Sequence, residues 1–363
     1  MTKPSASPLV VALGSSESLV DASLSHWEEL IHQARRANLL SRVAHDVVHA
    51  GLLQRVPPAP RAHLEAARTL ATAQTEAVRR EVAFLRKALD PIGVDLVLLK
   101  GAAYLVAGLP AARGRVFSDV DILVPKARLP EVEGRLMLHG WSATHHDAYD
   151  ERYYRKWMHE LPPLMHNTRQ TALDVHHAIL PITARLKPDS SKLLAASVPV
   201  GADRRLRVLS PTDMVLHSAT HLFQNEDLTQ GLRDLADLDS LLRHFGSEAS
   251  FWQELPGRAE DLDLARPLYY GLRYAARYLG TPIPETVTLR ADAGGPPGMF
   301  SRTMDMLYDR ALQPIAPRGG DVFTPLCRRA LYVRAHWLRM PPLLLAWHLS
   351  VKAFRREEAA TQR

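Results

Sequence analysis

The sequence predicts an α+β protein in which a small α/β core, about residues 90–204, sits between two helical regions. Three observations carry this reading. Apolar residues recur at helical spacing from about Asp21 to Leu89, the texture switches at Asp90-Pro91 to short apolar runs bounded by turn residues, and helical spacing returns after residue 205. The 363 residues suffice for two or three domains of ~100–200 residues each. We divide the chain into a flexible lead-in (1–20, rich in Ser, Pro and small residues), an N-terminal helical region (21–89), the core (90–204) and a C-terminal helical region (205–363).

Each element follows from local chemistry. Trp27, Leu30, Ile31 and Ala34, then Leu39, Val43 and Val47, fall on helix faces. Gly51 marks a stop and the cluster Pro57, Pro58, Pro60 a break, after which 61–89 reads as one long helix rich in Ala, Glu and Arg. Residues 94–99 form a near-continuous apolar run, the signature of a buried strand, ending in Lys100-Gly101. A short helix (102–107), a second strand (119–124), a crossover helix (129–138), an edge strand (141–144) and another strand (171–180) follow. Residues 145–170, rich in His, Tyr and Arg, show no clear period. Ser210-Pro211-Thr212-Asp213 combines a capping serine, a proline at the first helical position and an acid in the first turn, and starts a helix to about Gln224. Residues 228–245 and 264–278 give two more.

Composition narrows the class. Lys and Arg number 45 against 39 Asp and Glu, a net +6 that suits a polyanionic small ligand and falls short of a nucleic-acid footprint, so no stable nucleic-acid binding is expected. Arg328, Arg329, Arg334, Arg339, Lys352, Arg355, Arg356 and Arg363 concentrate the excess in a tail that also holds Trp337 and Trp347. A basic helix completing the bundle is the first reading of that tail, and a membrane surface or partner the second. A single cysteine, Cys327, allows no internal disulfide. No run approaches the ~20 apolar residues of a membrane span, and 8–14 lacks the features of a signal peptide. A cytoplasmic protein is expected.

The chemistry is concentrated in 115–124. Residues two apart on a strand share a face, so Asp119 and Asp121 project together while Val120, Ile122 and Val124 face the core. Two adjacent carboxylates call for a compensating cation, and hard oxygen donors suit Mg²⁺ or Mn²⁺ shared with substrate phosphates. At the junction of the first strand and helix, Gly101 lets the chain turn and a phosphate approach. Lys100 and Arg115 supply positive charge for a triphosphate, and Ser118 a hydrogen bond. In Leu173-Asp174-Val175-His176, Asp174 and His176 share a face, offering a third carboxylate for a two-metal phosphoryl-transfer site and a candidate acceptor-side histidine.

These segments resemble the DNA polymerase beta-like nucleotidyltransferase superfamily, and more closely a bacterial family known only as uncharacterised nucleotidyltransferases. The similarity lies in Trp27-Glu28-Glu29-Leu30, Val97-Leu98-Leu99-Lys100-Gly101, 115–124, Leu173-Asp174-Val175-His176, His217 to His221 and the stretch from Leu232 to Asp237, and covers roughly residues 25–290. Relatives usually carry Gly-Gly or Gly-Ser where Lys100-Gly101 stands here. The resemblance implies a polymerase beta-like core, an NTP substrate (ATP first), Mg²⁺ or Mn²⁺ held by Asp119, Asp121 and Asp174, and transfer of an NMP group to an acceptor hydroxyl. The acceptor is left open among small molecule, peptide, protein and RNA. The alternatives are a nucleotide sensor on the same fold and a helical scaffold with a vestigial core.

Blander readings stand beside these. An Asp-x-Asp pair alone commonly marks a solvated strand face. His217 and His221, one helical turn apart, are read as packed or solvated rather than zinc-binding, because no Glu adjoins His217. Asp234, Asp237 and Asp239 beside Arg233 and Arg243 are read as a solvated, ion-paired helix face, with Asp237 lining the cleft as the alternative.

Overall fold

The computed structural model describes residues 7–19, 21–144, 148–314 and 323–341, with 148–150 as backbone only. Among these, one mixed seven-stranded sheet forms the centre: β1 (Leu96–Leu99), β2 (Asp119–Leu123), β3 (Trp141–Ala143), β4 (Leu164–His166), β5 (Ala172–His176), β6 (Val198–Val200) and β7 (Asp203–Val208), in the order β3-β4-β5-β2-β1-β7-β6. β1 runs antiparallel to β2 and parallel to β7, and β2 runs parallel to β5. β1 is wholly apolar because both of its faces are covered: every one of its residues is buried.

Ahead of the sheet come α1 (Pro8–Gly14), α2 (Leu24–Arg36), α3 (Leu40–His49) and α4 (Pro58–Leu89). Within it lie α5 (Lys100–Val106), α6 (Leu129–Leu138), α7 (Ala148–Trp157) and α8 (Ser190–Ala196). After it follow α9 (Pro211–Gln224), α10 (Gly231–Phe245), α11 (Ala249–Asp261), α12 (Ala265–Leu279), α13 (Glu285–Asp292), α14 (Gly298–Ala311) and α15 (Phe323–Arg339). The plan is the expected one, a mixed α+β core with helical flanks. Pro58 sits in the first turn of α4, where the missing N–H is not needed, so the proline cluster starts that helix rather than merely preceding it.

Glu81 of α4 is 3% exposed and accepts hydrogen bonds from Arg169 Nε (2.8 Å), Arg169 Nη2 (2.7 Å) and Thr171 Oγ1 (3.1 Å). The Arg169 guanidinium lies 4.5 Å from the Phe84 ring centroid and 4.8 Å from that of Trp141. This clamp ties the β4–β5 turn to α4 and fixes the strand carrying Asp174.

Three expectations need correction. Residues 7–19 are packed: Leu9 is fully buried and its N–H donates to Gln33 Oε1 at 3.2 Å, because Leu9, Val10 and Ala12 seal α1 onto the helices behind it. The core boundary at 204 falls inside β7, which pairs with β1 as far as Val208, so the C-terminal helices begin at Pro211. The strand expected over 171–180 is five residues, Ala172–His176. In the basic tail, Arg334 donates to the Phe223 carbonyl (3.1 Å) and Arg339 pairs with Glu226 (3.0 Å), so the described part does complete the bundle. Trp347 and the cations from Lys352 onward lie outside the described residues, as does most of the apolar run after Pro341. Among described residues no helix is long and apolar enough to cross a membrane.

Candidate active site

Strand register brings the acidic residues together. β2 and β5 are parallel neighbours with Asp121 opposite Asp174 and Leu123 opposite His176. Val120, Ile122, Leu173 and Val175 are fully buried, which fixes the register and leaves the aspartates on the opposite face. The donor atoms of Asp121, Asp174 and His176 lie within 4.8 Å of one another. Asp119 stands outside this group, at the half-buried start of β2, where it accepts a hydrogen bond from Ser118 Oγ at 3.0 Å. The register thus gathers Asp121 and Asp174 with His176, and Asp119 is not among those three.

Lys100 follows β1, whose Leu99 faces Asp121 across the sheet. Its φ is +47°, a left-handed conformation costly for a residue with a Cβ. That turn aims the ammonium at Asp121, to whose Oδ1 it donates at 2.7 Å. His176 Nε2 donates to the same oxygen at 3.0 Å, since a carboxylate can only accept. Its Nδ1 lies 3.1 Å from Glu160 Oε2. The expectation that Gly101 makes the turn is corrected by the backbone, because the left-handed residue is Lys100. A Cβ on Gly101 would fall 2.6 Å from Arg115 Nε and 3.1 Å from the Phe117 ring, so the glycine makes room for a side chain.

The charges divide sharply. Burial works against the charged form of Asp121, yet Lys100 and His176 hold it far below the usual carboxylate range. The same contact holds Lys100 above its ordinary value despite burial. Asp174 has no such partner: burial, then the negative charges of Asp121 and Glu160, push it up to about 7. Burial disfavours charge on His176 too, but Asp121 and Glu160 raise it overall. Burial keeps His159, and likewise His217, neutral.

Arg115 is buried and paired with Asp237 of α10. Alongside, Arg233 donates to Asp234 Oδ1 at 2.8 and 3.0 Å, and His221 Nδ1 lies 3.6 Å from Asp234 Oδ2. Lys100, Tyr104, Arg115, Ser218, His221, Arg233, Asp234 and Asp237 enclose a cavity of about 20 Å³, room for one water. The solvated face expected for the α10 acids is thus a buried polar seam between the C-terminal helices and the core. Asp239 is nearer that expectation, shared by Arg243 and Thr281 Oγ1.

His159 and Glu160 are the residues sequence reasoning missed. They lie in the stretch without a period, and only their pairing with the end of β5 brings them to the site. A His-Glu dipeptide is the one signal they give, and it is weak.

The model of a family described as "uncharacterised nucleotidyltransferase" matches residues 23–280. The chain belongs to this family. Comparison with curated proteins gives no match. The match takes in every residue of the acidic group and the seam to α10. The donors fit a divalent ion: the buried Asp121 and half-buried Asp174 carboxylates stand side by side, and the raised Asp174 marks a place where positive charge is wanting.

Proposed function

We propose that the protein is a Mg²⁺- or Mn²⁺-dependent nucleotidyltransferase that moves the NMP group of an NTP, ATP in the first instance, to an acceptor hydroxyl with release of pyrophosphate. Family membership supports this, and the observation that carries it is the register of Asp121 against Asp174 on parallel strands. Asp121 and Asp174, with Asp119 as the further carboxylate, would hold the ion, which neutralises phosphate charge and orders the reacting groups. The acceptor oxygen bonds to the α-phosphorus, the bond to the β-phosphate oxygen breaks, and the acceptor proton passes to Asp174. Lys100, on the Asp121 carboxylate, is the cation at hand for the leaving phosphates, and Ser118, on Asp119, is a hydroxyl donor. Arg115 and Gly101 act from behind, Arg115 by joining the core to α10 and Gly101 by making room for it.

A second reading, nucleotide sensing without turnover, draws on one observation: Lys100 and His176 already neutralise Asp121 with no ion. Both readings are tested by calorimetry of each NTP with Mg²⁺ or EDTA, followed by pyrophosphate release from wild type and Asp174→Asn. Binding only with metal, and turnover about 100-fold or more lower in the variant, is the expected result. Equal affinity in EDTA defeats the metal-dependent reading, and metal-dependent binding without pyrophosphate release favours the sensor.

A further inference from the structure

Nucleotidyl transfer as argued above uses neither His159 nor Glu160, and His176 enters only through its hold on Asp121. The donor atoms of the three lie within 4.8 Å of one another. Glu160 Oε2 is 3.1 Å from His176 Nδ1 and 3.8 Å from His159 Nε2, and the two imidazole centroids are 5.3 Å apart. The His176 side chain is 4% exposed, and its Nδ1, aimed at Glu160, makes no well-formed hydrogen bond. Nor does the buried Nδ1 of His159. Buried polar nitrogens are ordinarily satisfied, so the unsatisfied Nδ1 of His176 beside the Glu160 carboxylate, to which His159 also turns its Nε2, marks a place where a ligand is missing.

The group is held by backbone, not by loose side chains. Glu160 forms an antiparallel bridge with His176, the His177 N–H donates to the His159 carbonyl at 2.8 Å, and the Leu161 N–H donates to the Val175 carbonyl at 2.9 Å. His159 and Glu160 side chains are 13% and 16% exposed, enough to admit an ion from solvent. The far side of His176 adds a second line of argument. Its Nε2–H is fixed on Asp121, so Nδ1 is the nitrogen turned toward Glu160. A carboxylate that takes one ring N–H and so presents the other nitrogen is the usual second shell of a metal-bound imidazole.

We propose that His159, Glu160 and His176 form a separate site for a divalent transition ion of the zinc class, with one coordination position left open. Two imidazoles and one carboxylate favour such an ion over Mg²⁺, which prefers oxygen donors, and three protein ligands leave a fourth place for water or substrate. The site does not depend on the protein's turning over nucleotide.

The test uses the full-length protein stripped with EDTA and dialysed free of it, without nucleotide or Mg²⁺. Zn²⁺ affinity is measured by equilibrium dialysis, and Co²⁺ is added to read the visible bands of an ion bound through nitrogen. Wild type is compared with His159→Ala, Glu160→Gln and Asp174→Asn, each checked for its circular dichroism and melting temperature. One ion per chain is expected, with affinity falling at least about tenfold in the first two variants, since even a lost second-shell partner costs that much. Asp174→Asn should bind as wild type does. If His159→Ala does not fold, Glu160→Gln alone decides. Unchanged Zn²⁺ affinity in a folded Glu160→Gln overturns the proposal. So does loss in Asp174→Asn, which would place the ion in the Asp121–Asp174–His176 group. Failure of NTP binding would leave this result standing.

Discussion

Burial and the neighbouring negative charges raise Asp174 well above the ordinary carboxylate range, and that has a consequence for stability. Its folded value of about 7 lies above the ordinary 3.8, so the folded state binds the proton more tightly than the unfolded chain does. The penalty is absent below the unfolded value, grows as pH rises between the two, and is complete above about 7. Asp174→Asn removes the charge and keeps the shape. In EDTA its melting temperature should therefore exceed that of wild type at pH 8, with the difference shrinking toward pH 4, and a variant no more stable at pH 8 would refute the argument. At Gly101 the expectation has the opposite sign. An added methyl meets Arg115 Nε and the Phe117 ring, both packed, so Gly101→Ala should cost about 1–3 kcal/mol in urea unfolding, the usual range for overpacking. At this scale the sequence is informative where chemistry is local. The same-face relation of Asp119 and Asp121 follows from strand alternation alone. The pairing of Arg115 with Asp237 joins residues 122 positions apart, and no periodicity reports such a contact.

Whole elements follow the same division. The helices and strands that are legible, such as α4, β1 and α9, carry their own signals: uninterrupted helix formers, an apolar run, a serine–proline start. α11 carries Pro256 and Gly257 and is helical all the same, because Phe251, Trp252, Leu255 and Ala259 bury one face and tertiary packing outweighs propensity. β6, Val198–Val200, has a central proline tolerable only at a sheet edge, where its missing N–H leaves no ladder bond unmade. β5 is short and depends on the clamp between Glu81 and Arg169 for its placement. Glu81 is 4% exposed at its side chain, but Arg169, the charge that Glu81→Gln leaves behind, is 30% exposed, so breaking the pair should cost about 1.5–3 kcal/mol, the range for hydrogen bonds to charged groups. Hydrogen exchange should show faster opening of β4 and β5 before global unfolding. An unchanged exchange pattern there would mean that the clamp does not position the strand carrying Asp174.

At the scale of the molecule, the helical flanks and the sheet are one packing unit rather than a core with appendages. α10 reaches the core through Asp237 and Arg115, and α9 is covered on its outer side by α12, α14 and α15. The family match ends at residue 280, yet the packing does not. Tyr308 of α14 is 1% exposed and its ring centroid lies 5.2, 5.5 and 5.0 Å from those of Phe223, Tyr270 and Tyr274. Arg273 and Arg277 of α12 are bound by Asp305 and Asp309, and Tyr274 donates to Asp305 at 3.1 Å. A chain cut after Gly280 would leave that aromatic face bare and both arginines unpaired. It should therefore aggregate or melt well below the full chain. Tyr308→Ala tests the same surface without removing a helix. Deleting so large a buried ring should cost about 3–5 kcal/mol, and it should lower the single unfolding transition rather than split it, because the ring contacts helices on either side. Two resolved transitions in the variant, or a truncated chain as stable as the whole, would show that α14 and α15 fold apart from the rest.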